Sequence, residues 1–174
     1  MKKIKRNRII IIDFSRTNKH NYTKKEICAF KFLFSREVLM SFYLIQHAKS
    51  KPKDVDPERG LTEEGIGEIE RSASFFARSN FRVDEIWHSS KKRARQSAHI
   101  IKSKLGNVAI KEMEGLLPKD DIGIIAQKLD KEKNIMIVGH LPSLSLLSSF
   151  LLTDERELDI IDFKNAGIDR KSVV

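Results

Sequence analysis

The sequence predicts an α/β domain: a three-layer sandwich with a mainly parallel central sheet. Three observations carry this. Short apolar, strand-forming runs alternate with segments of helical period. One run, Ile135-Met136-Ile137-Val138, is apolar throughout, the pattern of a strand buried on both faces. Gln46-His47, His88-Ser89-Ser90 and Gly139-His140 close three of the runs.

Taken in order, Phe42-Tyr43-Leu44-Ile45 reads as a strand ending in Gln46-His47-Ala48. Residues 51–60, with Pro52, Pro57 and Gly60, read as a loop. Thr62 is a helix N-cap, with Glu63 and Glu64 in the positive first turn. Ile66, Ile69, Ala73 and Phe76 carry that helix to about Ser79. A strand from Val83 to Trp87 is closed by His88-Ser89-Ser90, and a basic helix spans Lys91 to Leu105. Val108 to Ile110 is a short strand, Gly115 to Pro118 a break, and Asp120-Asp121 start a helix ending near Leu129. The strand over 134–138 turns through Gly139-His140-Leu141-Pro142 into a helix over 143–152, and Ile160 to Phe163 begin a further strand.

The chain has 174 residues, a single cysteine (Cys28) and a net charge of +9. The cysteine count excludes a disulfide framework and a multi-cysteine zinc site. The charge suggests an anionic polymer as partner, but its distribution does not. Residues 1–39 carry a net +8 and residues 169–174 a net +1, whereas residues 40–168 hold twenty bases and twenty acids. The neutral segment also lacks the interleaving of aromatic and basic residues found in single-strand binders. Nucleic acid and membrane partners are therefore not expected, and no apolar run approaches the ~18 residues that span a bilayer.

Both charged ends look foreign to the domain. Residues 1–39 show no helical period, although Ile9 to Ile12 fit a short strand. As a secretory signal the segment fails, because its apolar run stops at Asp13, short of about 7 residues. Arg36-Glu37-Val38 can be encoded AGG-GAG-GTN, a ribosome-binding sequence just upstream of Met40. The expectation is that 1–39 is a non-native extension. Asp169 to Val174 can be encoded GAT-CGG-AAG-AGC-GTC-GTG, which matches a sequencing-adapter oligonucleotide. The expected domain is thus 40–168, truncated at its C-terminus, with 169–174 an artefactual tail.

In open α/β sheets ligands bind beyond the carboxyl ends of the strands. Gln46 and His47, Ser89 with Arg93, and Gly139 with His140 follow three of the strands. Neutral imidazole is a good nucleophile towards phosphorus, and a second imidazole and a guanidinium suit the equatorial oxygens of a phosphoryl group. Preset donors at those oxygens lower the barrier to transfer. This scheme calls for no metal.

Four ordered segments make the chain resemble the histidine phosphatase superfamily, and most its SixA-type phosphohistidine phosphatase branch. Phe42 to Ala48 stands where the family has Arg-His-Gly. Arg59-Gly60-Leu61-Thr62-Glu63-Glu64-Gly65 is similar to Arg-Pro-Leu-Thr-x-x-Gly. Ser89 to Ala98 is similar to Ser-x-x-x-Arg-Ala-x-Gln-Thr-Ala, and Val138 to Ser143 to Val-Gly-His-x-Pro. The resemblance implies a cofactor-independent phosphatase in which His47 is transiently phosphorylated while Arg93 and His140 grip the phosphoryl group. Gln46 and Arg59 are the implied substrate contacts.

The implied substrate is phosphohistidine on a protein, such as a histidine phosphotransfer domain in a signalling relay. A cytoplasmic monomer is expected. A small-molecule phosphomonoesterase and a non-catalytic phosphate-binding domain are the alternatives. Gln46 replaces the family arginine, removing one charge-assisted contact worth about 1–3 kcal/mol. Ala48 replaces the glycine, a mild change unless that backbone position needs positive φ. No general acid stands out; Glu114, Asp120 and Asp121 are the candidates. Phosphohistidine needs one least, because imidazole is readily protonated near its pKa of about 6.5. His88, His99 and Trp87 read as structural.

Overall fold

The computed structural model describes residues 8–10, 41–79, 81–130, 132–153, 163 and 165–166. Five strands, β1 (Arg8–Ile10), β2 (Ser41–Gln46), β3 (Glu85–His88), β4 (Ala109–Glu112) and β5 (Ile135–Gly139), form one sheet in the order β1-β2-β5-β3-β4. Every neighbouring pair is parallel. The connections are α1 (Glu63–Arg78), α2 (Lys92–Leu105) and α3 (Ile122–Lys128), and α4 (Ser143–Thr153) follows β5. The described architecture is the predicted α/β sandwich, with a fully rather than mainly parallel sheet.

Alternation along the strands makes two cores. Tyr43, Ile45, Ile86, Met136 and Val138 face α1 and α2, where they meet Ile69, Ala73, Phe76, Ala94, Ala98 and Ile101. Phe42, Leu44, Trp87, Ile135 and Ile137 face the opposite way, against Ile122, Ile125, Leu144 and Leu147. Residues 135–138 of β5 are wholly inaccessible, as their unbroken apolar run demands. Full burial of such a side chain stabilises by about 1.5–3 kcal/mol. Trp87 belongs to the second core and donates from its indole to Glu85 (2.8 Å), so it fills the sheet surface.

The ends of elements shift by one or two residues from the sequence reading. Thr62 caps α1 as expected, accepting from the Gly65 amide (3.0 Å). Asp121 is the cap of α3 rather than its first residue, accepting from Gly123 N (2.8 Å). The Ile9–Ile12 strand appears as Arg8–Ile10. Of the strand read at Ile160–Phe163, only Phe163 is among the described residues; it is buried against the second core. Most of 1–39 and all of 167–174 also lie outside them.

Topology places the site. Insertion of β5 between β2 and β3 brings three strand ends side by side. His47 N donates to Gly139 O (3.1 Å) and Ser89 N to Val138 O (3.2 Å), so the segments leaving β2, β5 and β3 diverge from one edge.

Candidate active site

His47, Arg93 and His140 converge at that carboxyl edge. His47 Nδ1 lies 2.8 Å from Ala48 O; a carbonyl only accepts, so Nδ1 carries the ring proton. Nε2 is then an unprotonated lone pair, and Arg93 Nε donates to it (2.9 Å). The His47 and His140 rings are 4.9 Å apart, inclined at 60°. His140 Nε2 lies 2.9 Å from Ser89 Oγ, while its Nδ1 is buried without a hydrogen-bond partner.

Burial, opposed by the Ala48 bond and aided by Arg93 and Arg59, lowers the His47 pKa from 6.5 to about 4. His140 falls from 6.5 to about 3, mainly by burial and then through His47, Arg93, Lys91 and Arg59. Arg93 is also lowered, by burial and by Arg59. Both imidazoles are therefore neutral at physiological pH, and the positive charge of the site rests on the arginines.

The surrounding segments hold this geometry through side-chain-to-backbone bonds. Ala48 N donates to Ser97 Oγ (3.1 Å), which donates to Arg93 O (2.8 Å). Leu61 N donates to Gln96 Oε1 (2.8 Å). Thr62 N donates to Lys49 O (3.0 Å), and Gly65 packs so tightly there that a Cβ would sit 2.2 Å from the same carbonyl. Gly65 is thus required by close approach of α1 to the His47 segment. Gln96, Ser97 and Gly65 were legible only as parts of motifs, and Thr62 as a motif member and helix cap; their scaffolding roles need the three-dimensional meeting of segments. Ser89 had two signals, its place directly after β3 and its position at the head of the Ser89–Ala98 motif.

Ala48 is fully buried and does not have positive φ, so the alanine is unstrained. Gln46 ends β2 opposite Gly139, and its Oε1 is buried without a partner. Arg59 is exposed and takes left-handed backbone geometry (φ 54°), rare without glycine. It donates to Lys51 O and Ser50 Oγ (both 3.3 Å), anchoring its loop while its charge acts on His47 and His140.

The three candidate acids have other uses. Asp120 accepts from Leu117 N (2.9 Å), Asp121 caps α3, and the exposed Glu114 pairs with Lys128 (3.7 Å). His88 is buried and donates to Ser89 O (2.9 Å); His99, on the exposed side of α2, lies 6.1 Å from it, ring to ring.

A neutral, lone-pair-bearing histidine beside a guanidinium and a second imidazole, at the carboxyl edge of a parallel sheet, is chemically suited to a phosphoryl group. Residues 42–117 match the family model of the histidine phosphatase superfamily (branch 1). Over that stretch the chain is similar to the superfamily, whose members include phosphatases. Solved structures agree. A protein assigned as the phosphohistidine phosphatase SixA of Agrobacterium tumefaciens is 28% identical, with TM-score 0.53 over 65% of this chain and 77% of that one. The protein histidine phosphatase SixA complexed with tungstate is 20% identical, with TM-score 0.62 over 71% and 82%. An assigned α-ribazole-5′-P phosphatase from Escherichia coli shares the fold at 15% identity, TM-score 0.53, over 68% and 82%. No curated protein matches the chain in sequence.

Proposed function

We propose that the protein is a phosphohistidine phosphatase acting on a phosphorylated protein through a phospho-His47 intermediate. The observation that carries this is the His47 ring, with Nδ1–H tied to Ala48 O and the Nε2 lone pair turned to Arg93. Nε2 attacks phosphorus; its new bond to phosphorus forms as the bond to the leaving imidazole breaks. The leaving nitrogen takes a proton from water. A second water then attacks phospho-His47, releasing phosphate and restoring the lone pair. Arg93, released from Nε2, and His140 hold the phosphoryl oxygens, with Gln46 and Arg59 as further contacts.

The choice of phosphohistidine over an ester is supported by the other uses of Glu114, Asp120 and Asp121. A poor alkoxide leaving group needs a positioned acid; imidazole does not. The tungstate bound by SixA, a mimic of phosphate, and the 28% identity to a second SixA protein point the same way. A protein substrate is favoured by Lys91, exposed, in no ion pair among the described residues and close enough to act on His140, which offers acidic surfaces a landing point beside the site. Among the described residues no helix is long and apolar enough to cross a membrane. A cytoplasmic monomer, working without a cofactor, completes the reading.

The test is phosphate release from a phosphohistidine-bearing phosphotransfer domain, with a phosphomonoester as control. Hydrolysis of the first with kcat/KM at least a hundredfold above the second is expected, with a phospho-His47 species trapped by rapid quench. Equal turnover of the ester would replace the reading by a phosphomonoesterase. Binding without turnover would replace it by a phosphate-binding domain.

A further inference from the structure

His140 is anchored from one side only. Its Nε2 meets Ser89 Oγ at 2.9 Å, and its Nδ1 is buried and unmatched. Ser89 itself is 0% exposed. Its backbone is tied at both polar atoms, N to Val138 O and O to His88 Nδ1, so the hydroxyl has little freedom to move away. That hydroxyl accepts from Lys91 N (3.3 Å), the amide at the N-cap of α2, where no side chain of the cap residue does so.

A hydroxyl has one proton and two lone pairs. Lys91 N–H can only donate, so it uses a lone pair. If His140 also donated, from Nε2, the Ser89 proton would be buried without an acceptor among the described residues, and His140 Nδ1 would be a buried lone pair without a donor. If Ser89 donates to Nε2, both the hydroxyl and Nε2 are satisfied, and one atom remains unmet: a proton on Nδ1. Buried polar groups are paired wherever the geometry permits, which selects the second arrangement. Burial and the surrounding cations keep the ring neutral, so it carries a single proton to place.

We propose that Ser89 is a positioning residue that fixes the tautomer of His140, placing the ring proton on Nδ1 as a donor reserved for a phosphoryl oxygen. Both site histidines are then the same tautomer turned opposite ways. His47 spends its Nδ1–H on Ala48 O and offers a lone pair to phosphorus. His140 spends its Nε2 lone pair on Ser89 and offers a proton to oxygen. With the other tautomer, His140 would present a lone pair to an oxyanion and repel it.

The catalytic consequence rests on the phosphatase reading; the tautomer is a property of the free protein. Long-range proton–nitrogen spectra of the wild-type protein with ¹⁵N-labelled histidine, at neutral pH, are expected to show His140 protonated at Nδ1 and bare at Nε2. A His140 protonated at Nε2 overturns the proposal whatever the enzyme does. Tungstate titration is expected to shift the Nδ1 signal of His140, and an unmoved signal with tungstate bound also overturns it. In Ser89→Ala the Nδ1–H preference of His140 is expected to be lost while His47 keeps its tautomer, and kcat to fall about tenfold. Full kcat with an unchanged His140 tautomer would refute the role of Ser89. If wild-type protein shows the expected tautomer yet releases no phosphate, the phosphatase reading fails and the tautomer assignment stands.

Discussion

The two edges of the sheet are built on opposite principles. At the amino edge, among the described residues, no buried side-chain nitrogen or oxygen lacks a hydrogen-bond partner. Asn134 Oδ1 accepts from Ser41 N (3.1 Å), and Asn134 N and Nδ2 both donate to Asp84 Oδ2 (2.9 Å each). The Glu85 carboxylate receives Lys133 (2.8 Å), Lys111 (2.9 Å) and the Trp87 indole (2.8 Å), and these bonds lower its pKa from 4.5 to about 2. At the carboxyl edge His140 Nδ1 and Gln46 Oε1 are buried and unmatched, and cations crowd two neutral imidazoles. The amino edge is finished in the free protein. The carboxyl edge leaves two polar atoms unmet in the free protein, a ring nitrogen at His140 Nδ1 and an acceptor at Gln46 Oε1, at some cost in stability.

That contrast predicts where substitutions act. The largest effect is at the proposed nucleophile: His47→Ala should lower phosphohistidine turnover by at least about 10³-fold with the fold intact, as read by circular dichroism. Retained turnover would remove His47 from the chemistry. Arg93→Ala should lower kcat/KM about 10²-fold, since it takes away the guanidinium donor facing Nε2. Gln46→Arg works in the other direction. It adds a charge beside an unmatched atom and should tighten tungstate binding about tenfold by calorimetry. Weaker binding would mean that Gln46 does not face the anion.

At the opposite edge the expectation reverses. Glu85→Gln should leave kcat/KM unchanged while lowering Tm by several degrees, about 2 kcal/mol, because both lysines are half-exposed and lose only part of their partner. A large loss of activity would show that the edges are coupled.

The smallest effect lies in the pH dependence of stability. A histidine held neutral binds fewer protons folded than unfolded, so stability rises with pH between its two pKa values. For His47 and His140 the penalty is absent above 6.5, sets in as pH falls through 6.5, and is complete near 4 and 3 respectively. Glu85, with its folded pKa depressed, contributes stability above 4.5 that is lost as pH falls towards 2. Urea midpoints measured across pH should thus flatten between 6.5 and 4 in His47→Ala, and between 4.5 and 2 in Glu85→Gln.

How much of this was legible in the sequence follows from what each feature depends on. Strands and helices were readable because their apolar spacing is a local signal, as in Ile135–Val138, and because Thr62 marks a helix start. The alignment of His47, Arg93 and His140 was readable only through motifs, since their meeting depends on the insertion of β5 between β2 and β3. The Ser97–Ala48 and Gln96–Leu61 bonds, which span 49 and 35 residues, leave no local trace. Nor does the pairing of Glu85 with Lys133 across 48 residues. The tautomers of the two histidines belong to this class, because each is set by a neighbour's bonding rather than by the residue itself.

The central place of β5 also governs when the site can exist. β2 and β3 share no direct hydrogen-bonded pairing; each finds its partner in a strand made about 50–90 residues later. On the ribosome, therefore, a nascent chain displaying His47 and Arg93 has neither the strand that spaces them nor His140. Closure of so many distant contacts late in synthesis is slow. The polypeptide must hold two unjoined halves of a sheet in solution until the segment over 135–140 emerges and slots between them, and His47 meets His140 in that same event.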